Sequence, residues 1–227
     1  MPPTAHEVLS VVFRVDGGSV SVLLWQRALE PAAGAWALPG GPLGPDEDLP
    51  TSARRLLADK VDLTDVAHLE QFAEFSEPHR IPPSDSASRT IASVFLGLVR
   101  AGTEPRLPED TAWHSVDDLP NTAFDHGVMV HRARARLAAR LSYTNIGFAL
   151  APREFPVSEL RDIYVAVLGY PVDATNLLRI LSRRSVITAT GTTARSGRSG
   201  GRPPALYRFQ DTYLRVTDEF ATLRPPG

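Results

Sequence analysis

Apolar and polar residues follow one another in blocks that predict strands and two long helices in the first part of the chain. Residues 7–15 are rich in β-branched side chains, and the turn sequence Asp16-Gly17-Gly18 separates them from a returning strand at 19–26. Further strands are predicted at 69–76, 90–99 and 111–116, and helices at 49–60 and 124–141. Strands interspersed with long helices predict an α+β sandwich over residues 1–142.

The second of these helices, 124–141, has a repeat at helical spacing and four arginines. Its predicted inner face holds Val128, His131 or Arg132, Ala135, Ala138 and Ala139. The arginines, which are predicted to face outward, are Arg132, Arg134, Arg136 and Arg140. Such a charge run is more typical of a solvated face than of a nucleic-acid site. The alternative, that this helix contacts DNA, stays open.

The pattern changes after Pro156. Residues 157–168 form one amphipathic segment, Gly169-Tyr170-Pro171 interrupts it, and Asp173 is placed to cap a second helix over 174–185. Two short β-prone runs, 186–190 and 205–209, flank a loop of Gly, Arg and Ser. Helix, turn, helix and hairpin is the order of a winged helix-turn-helix, which is predicted for residues 157–227. Residues 143–156, which contain Gly147 and Pro152, are the predicted linker.

Charge is distributed unevenly between these two regions. The net charge is −2, but residues 1–150 carry 13 basic and 19 acidic groups, whereas residues 151–227 carry 11 arginines and 7 acids. This asymmetry suggests two partners of different kinds. The chain has no cysteine, so disulfides and thiolate chemistry are excluded and a cytoplasmic location is predicted. The first residues do not resemble a signal peptide and no apolar run is long enough to span a bilayer, so no membrane partner is expected.

The basic C-terminal region has the side chains needed to bind double-stranded DNA. Asn176, Arg179 and Arg183 are spaced to share one helix face, where Asn can read adenine and Arg can read guanine. The residues suited to phosphates or a narrow minor groove are Arg184, Arg195, Arg198 and Arg202. A protein-binding tail or a disordered linker is the alternative for the Gly- and Arg-rich loop. The preceding basic helix and the flanking strands favour an operator-binding module.

The segment 36–63 carries the most specific motif. A Pro39-Gly40-Gly41 turn leads through an acidic loop into the helix at 49–60. Here the chain resembles the Nudix family of nucleoside-diphosphate-linked hydrolases, whose signature is matched by Gly41, Glu47, Arg55, Leu57 and Leu63. The flanking sequences 22–27 and 36–41 are also similar to the family. An ordinary amphipathic helix after a Pro-Gly turn is the alternative.

The resemblance also shows which residues the motif lacks. The family's three helix glutamates lie on one face and converge on Mg²⁺. Their positions hold Leu56, Asp59 and Lys60, of which only Asp59 offers a carboxylate. The prediction is a Nudix fold with a disabled metal site, without catalytic residues or metal ligands. A weakly active Nudix hydrolase of ADP-ribose or another nucleoside-diphosphate derivative is the alternative, because Mg²⁺ can be held by one or two carboxylates plus substrate phosphates.

The Nudix-like region followed by the basic module resembles the Nudix-related transcriptional regulators of NAD metabolism. Matching stretches also occur at 69–80, 119–126 and 201–209. The resemblance implies a dimeric repressor of NAD synthesis or salvage operons, with no required cofactor, that ADP-ribose or a related nucleotide releases from DNA. Arg27, Arg55 and Arg89 are candidates for phosphate or ribose contacts and Trp36 or Phe124 for stacking on adenine, although each could equally be structural. The complete predicted effector site is Arg27, Trp36, Gly40, Gly41, Glu47, Arg55, Arg89 and Phe124.

Overall fold

The computed structural model describes residues 4–82, 89–194 and 203–218. Its backbone forms two compact units. Unit 1 is built from the described parts of residues 1–14, 20–99 and 103–135, and unit 2 from the described parts of residues 15–19, 100–102 and 136–227. Within the described ranges, no helix combines the length and the apolar character needed to cross a bilayer.

A mixed sheet forms the centre of unit 1. Its strands are β1 Thr4–Asp16, β2 Ser19–Gln26, β3 Trp36–Ala37, β4 Gly40–Pro42, β5 His68–Phe75, β6 Arg89–Leu98 and β7 Thr111–Ser115. Their order is β3-β2-β1-β6-β5, with β4 paired to β1 and β7 paired to β2. Strands β1 and β6 are parallel, and Val11, Val12, Val94 and Leu96 are fully buried in them, as expected for strands covered on both faces.

Helix α1 (Leu49–Val61) follows the acidic loop and has well-defined ends. Asp48 caps it by accepting a hydrogen bond from the amide of Thr51 at 2.8 Å. The helix ends at Asp62, whose φ of 51° lies in the left-handed region. The Nudix signature has glycine here, because glycine adopts this conformation without a Cβ penalty. Leu57 and Val61 anchor the helix to the core of unit 1.

Helix α2 (His126–Tyr143) forms as predicted, but the predicted inner face is wrong. Val128 is 51% exposed, and His131, Ala135 and Ala139 are also exposed. The reason is that larger apolar side chains on the opposite face bury more area than the alanines would. The buried apolar residues of α2 are Met129, Val130, Ala133, Leu137 and Leu141. Of the four arginines predicted to face outward, Arg132 is exposed, whereas Arg134 is partly buried and forms an ion pair with Asp117.

Unit 2 has the order of a winged helix, and with unit 1 it confirms the predicted fold class. Its elements are a 3₁₀ helix Ile146–Ala149, β8 Phe155–Pro156, α3 Val157–Leu168, α4 Ala174–Arg183, β9 Ile187–Thr193 and β10 Ala205–Phe209. Strand β10 lies between β8 and β9 and pairs antiparallel with both. Gly169, with a φ of 77°, ends α3, and Asp173 caps α4 by accepting from the amide of Asn176 at 2.7 Å.

The segment predicted as a linker, 143–156, carries regular structure and much of the core of unit 2. The 3₁₀ helix is buried, and β8 pairs with β10. The buried Asn145 donates through Nδ2 to the carbonyl of Tyr213 at 2.9 Å and accepts from the amide of Arg215 at 2.7 Å. The glycine and prolines therefore shape a packed connection within unit 2.

Candidate functional site

The acidic loop of unit 1 is fastened to α1 through Glu47. Arg55 donates to the two carboxylate oxygens of Glu47 at 2.7 Å from Nε and 2.8 Å from Nη2, and Ser52 Oγ donates to the same group at 2.5 Å. The hydrogen bonds from Arg55, followed by that from Ser52, lower the pKa of Glu47 to about 2. Glu47 is therefore ionised at neutral pH, and its charge is already paired with Arg55.

The side chains at the three glutamate positions of the family point to different surroundings. Leu56 is 3% exposed and packs in the core with Val8 and Phe95. Asp59 pairs with Arg55 at 3.6 Å, and the Lys60 ammonium lies 5.5 Å from the centre of the Trp25 ring. Among the residues that the structure describes, no three His, Cys, Asp or Glu side chains form a group that could hold a metal. These side chains do not fit the carboxylate-built Mg²⁺ site of the motif.

Gly40 and Gly41 lie where strand β4 runs directly against β1. Leu9 faces Gly40 and Val8 faces Gly41 in the pairing register. A Cβ on Gly40 would lie 2.4 Å from the Val8 carbonyl oxygen, whereas one on Gly41 would lie 2.9 Å from Cδ2 of Leu56. The first contact is with backbone and the second is with the end of a flexible side chain, so the two glycines differ in how well they tolerate alanine.

Gly40→Ala is expected to lower the free energy of unfolding by about 1–3 kcal/mol, because the β1 backbone must move. Gly41→Ala should cost less than about 1 kcal/mol, since Leu56 can change rotamer. Chemical denaturation of the two variants beside the wild type measures both changes. Equal losses would contradict the assignment of the close approach to Gly40.

A buried ion-pair cluster, formed by Glu7, Arg80 and Asp125, lies next to this turn. The Arg80 side chain is 1% exposed. It donates to Glu7 Oε1 at 2.5 Å and to both oxygens of Asp125, at 3.0 Å from Nε and 2.8 Å from Nη2. Burial raises the pKa of Glu7, although Arg80 opposes that shift. No role was predicted for these residues from the sequence, but Arg80 and Asp125 lie in the two stretches 69–80 and 119–126 that carry the family resemblance.

The Glu7–Arg80–Asp125 cluster brings together predicted effector residues that are distant in sequence. Glu7 precedes Val8, which faces Gly41. Asp125 follows Phe124, and the Arg27 guanidinium lies 5.2 Å from the centre of the Phe124 ring. The positive charge of Arg27, like that of Arg80, opposes the rise in the pKa of Glu7 that burial causes. Arg27 therefore lies near this charged cluster together with Phe124, and Gly41 faces the residue that follows Glu7.

Trp36 and Arg89 are engaged elsewhere. The Trp36 ring meets the edge of the His114 ring at a centroid distance of 4.2 Å, and its backbone bonds to Asn121 and Ala123 at 3.0 and 2.7 Å. Arg89 is exposed at the start of β6, where it donates to the carbonyl of Ser76. Trp36 thus helps to hold the segment that carries Phe124, whereas Arg89 stands apart from the other predicted effector residues in the described contacts.

His126, for which no role was predicted from the sequence, binds the backbone of Leu38 directly before Pro39. Its Nδ1 accepts a hydrogen bond from the amide of Leu38 at 3.0 Å, so the proton of the neutral ring is assigned to Nε2. Burial lowers the pKa of His126 to about 4. Nε2 has no hydrogen-bond partner among the described residues. A neutral histidine therefore fixes the residue that precedes the Pro39-Gly40-Gly41 turn.

In unit 2, α4 presents the predicted reading residues to solvent. Asn176, Arg179 and Arg183 are exposed, whereas Leu177 and Leu181 are buried. Arg179 Nη2 donates to Asn176 Oδ1 at 2.6 Å, so the two side chains are held side by side. The carboxamide nitrogen of Asn176 and the remaining guanidinium donors are the groups that a base edge requires.

The other predicted DNA contacts have different positions. Arg184 forms an ion pair with Asp218 and donates to the Ser142 carbonyl at 3.2 Å, which engages its guanidinium within unit 2. Arg195, Arg198 and Arg202 lie outside the residues that the structure describes.

Comparison with known proteins gives the same division of the chain into two modules. Residues 4–133 match the model of the NUDIX domain, and residues 147–209 match the model described as NrtR DNA-binding winged helix domain. The chain is 30% identical over 212 residues to the ADPR responsive transcriptional repressor NtrR of Acinetobacter baylyi, which covers 92% of this chain and 83% of that protein.

Two solved structures are also similar. The structure of Shewanella oneidensis NrtR with a 27mer DNA superposes with a TM-score of 0.75 at 28% identity and covers 90% of this chain and 93% of the other. The NUDIX domain of the same protein in complex with ADP ribose has a TM-score of 0.53 at 26% identity, and covers 60% of this chain and 90% of the other.

Proposed function

The chain belongs to the NrtR family of Nudix-related transcriptional regulators, and we propose that it represses genes of NAD synthesis or salvage and is released from DNA by ADP-ribose. The observation that carries the proposal is the exposed Asn176–Arg179–Arg183 face on the second helix of a winged helix. This face is joined in one chain to a Nudix unit whose glutamate positions hold Leu56, Asp59 and Lys60. A regulator that reads chromosomal DNA would act in the cytoplasm.

ADP-ribose has the chemistry that the predicted effector residues favour. Its diphosphate suits the guanidinium groups of Arg27 and Arg55, and its adenine suits the face of Phe124. The close backbone approach at Gly40 holds β4 against β1, directly before the acidic loop that carries Glu47. Arg27 lies over the Phe124 ring and Arg55 is paired with Glu47. Binding of ADP-ribose would therefore require each arginine to leave its present contact and bind the ligand instead.

The regulator is proposed to be a homodimer assembled mainly through its Nudix unit. Two winged helices related by a two-fold axis can bind a pseudo-palindromic operator with more phosphate contacts than one. Assembly through the other unit leaves the basic face of α4 free for DNA. Light scattering at micromolar concentration tests this arrangement, and a monomer that still binds the operator would contradict it.

The deciding experiment is a mobility-shift assay on the DNA upstream of the protein's own gene cluster. The protein is expected to shift this DNA in preference to random DNA, and ADP-ribose should reverse the shift while AMP at the same concentration does not. Failure to shift the DNA would refute the DNA-binding role there. A shift that ADP-ribose leaves unchanged would refute the proposed effector.

Hydrolysis is the second candidate function, because Glu47, Arg55 and Asp59 keep part of the Nudix motif. We infer that catalysis is disabled, since Leu56 lies in the apolar core and Lys60 places a cation on the helix face that the metal would occupy.

The purified protein is therefore expected to turn over ADP-ribose far more slowly than about 1 s⁻¹, the lower end of ordinary enzyme rates. The assay follows AMP release with Mg²⁺ and, separately, with Mn²⁺. A preparation of an active Nudix hydrolase serves as the positive control. Metal-dependent turnover at about 1 s⁻¹ or faster would show that the remaining acids suffice.

A further inference from the structure

Unit 2 contains a cavity of about 800 Å³ that none of the roles above uses. Three arginines line it: Arg100 follows β6, Arg153 precedes β8, and Arg208 lies in β10. Its volume is within the roughly 300–1,000 Å³ range of small-molecule sites. Phe148 and Phe209 belong to the apolar part of the lining, and Thr188 contributes a hydroxyl group.

Arg100 is held in position by the fold, and among the residues that the structure describes none of the three arginines pairs with a carboxylate. Arg100 Nε donates to the carbonyl of Phe148 at 3.2 Å, which fixes the orientation of its guanidinium. Arg208 lies opposite Thr188 in the β10–β9 pairing. Within the described part of the chain, neither Arg153 nor Arg208 takes part in an ion pair. Like charges around one cavity repel each other unless an anion binds among them.

We propose that this cavity binds the phosphate or diphosphate group of a small phosphorylated metabolite. Guanidinium groups bind phosphate through planar pairs of N–H donors, which favours phosphate over chloride or a single carboxylate. The partly exposed Pro152 and Phe209 also line the cavity and provide apolar surface for the rest of such a molecule. The site lies wholly within unit 2, and it is separate from the effector residues of unit 1.

The location within unit 2 favours a small molecule over the DNA backbone. The reading face begins at Asn176 near the start of α4, and the wing loop lies between β9 and β10. Thr188 is five residues from Thr193 at the wing end of β9, which corresponds to about 17 Å along a strand. The cavity is therefore at the end of the hairpin that is remote from the wing.

Calorimetric titration of the full chain with inorganic pyrophosphate at constant ionic strength tests the proposal. Arg153→Gln and Arg208→Gln are each expected to weaken binding by about tenfold, as for the loss of a charged hydrogen bond. Arg161→Gln is the matched control, because Arg161 lies on α3 in the same unit, is exposed and pairs with Asp162. It should bind as the wild type does. Thermal melting verifies that each variant is folded; Arg153, in an exposed loop position, provides the test if Arg208→Gln does not fold.

Two further measurements distinguish pyrophosphate binding in this cavity from binding in unit 1 and from a role of the cavity in holding a DNA phosphate. If Arg55→Gln abolishes binding while Arg153→Gln leaves it unchanged, the anion binds in unit 1 and the proposal is overturned. If Arg153→Gln instead flattens the salt dependence of binding to random duplex DNA by about 0.9 in the log–log slope, the cavity holds a DNA phosphate and the proposal is also overturned. An unchanged slope together with weakened pyrophosphate binding supports it. Absence of any pyrophosphate binding by the wild type refutes it.

Discussion

Replacement of Arg80 by methionine is expected to lower the free energy of unfolding by about 3–5 kcal/mol, the largest change predicted for any single residue of this chain. Arg80 is 1% exposed, and Glu7 and Asp125 would lose the cation that compensates their burial. The loss should be measured by chemical denaturation at neutral pH. If the stability of the variant were within about 1 kcal/mol of the wild type, water would be able to solvate Glu7 and Asp125 once the arginine is removed, and the two carboxylates would not be left buried without a partner.

The destabilisation caused by Arg80→Met should also depend on pH. Burial already raises the pKa of Glu7 in the folded protein, and Arg80 is the main group that opposes this. A raised folded pKa means that the contribution of Glu7 to stability is full below its unfolded pKa of about 4.5 and is lost as the pH rises through the folded value. Without Arg80 the folded pKa rises further. The difference in stability between variant and wild type should therefore shrink as the pH falls from 7 towards about 4.5.

A triple variant provides the control for this mechanism. Glu7→Gln and Asp125→Asn, combined with Arg80→Met, remove the whole set of charges and should recover most of the lost stability, since an uncompensated buried charge costs more than a missing pair. Recovery would assign the loss to unpaired charge. If the triple variant were as unstable as Arg80→Met alone, the loss would instead come from packing of the arginine stem.

Changing Asn176 or Arg179 to alanine is expected to weaken operator binding by about 1–3 kcal/mol each, with relaxed specificity at the base pair that each residue reads. Because Arg179 donates to Asn176, the two changes should not be additive, and either one should disturb the other side chain. Binding to random duplex DNA should change little. Fluorescence anisotropy on operator and random duplexes at several salt concentrations separates these effects.

The wing arginines should behave differently. If Arg195, Arg198 and Arg202 bind phosphates, their loss weakens specific and random binding alike, and each lost contact flattens the log–log salt dependence by about 0.9. Arg184 is expected to affect stability as well as binding, because it is engaged with Asp218 and Ser142.

Charge reversal on α2 tests the competing assignment of the DNA-binding helix. The variant carries Glu at positions 132, 134, 136 and 140, and it is expected to retain operator binding. Arg134 already pairs with Asp117, and Arg140 donates to the Tyr143 hydroxyl at 3.1 Å, which is consistent with structural roles. If this variant loses the operator while Arg179→Ala and Arg183→Ala retain it, α2 and not α4 is the reading helix.

The sequence by itself determined the order and type of the main elements and the nature of both units. The turn Asp16-Gly17-Gly18, the cap at Asp173 and the exposed face of α4 follow from local chemistry: the positive φ that glycine adopts, the hydrogen bonding of an aspartate cap and the period of a helix. The departure from the Nudix motif at Leu56 and Lys60 is equally local. These features need only residues close in sequence, so a single chain is enough to predict them.

Tertiary structure alone decided which distant residues meet. Glu7, Arg80 and Asp125 are far apart in sequence, and only the arrangement of β1 with the segments after β5 and before α2 makes them one buried cluster. The buried face of α2 was also decided by its surroundings, because two stripes of the helix have apolar residues at helical spacing and packing selects the larger side chains. Likewise, Arg100, Arg153 and Arg208 share a cavity only because the hairpin of unit 2 folds against the 3₁₀ helix and its neighbours. The periodicity of a sequence predicts which face of a single helix or strand is apolar. Which distant residues come into contact depends on the free energy of packing the whole unit.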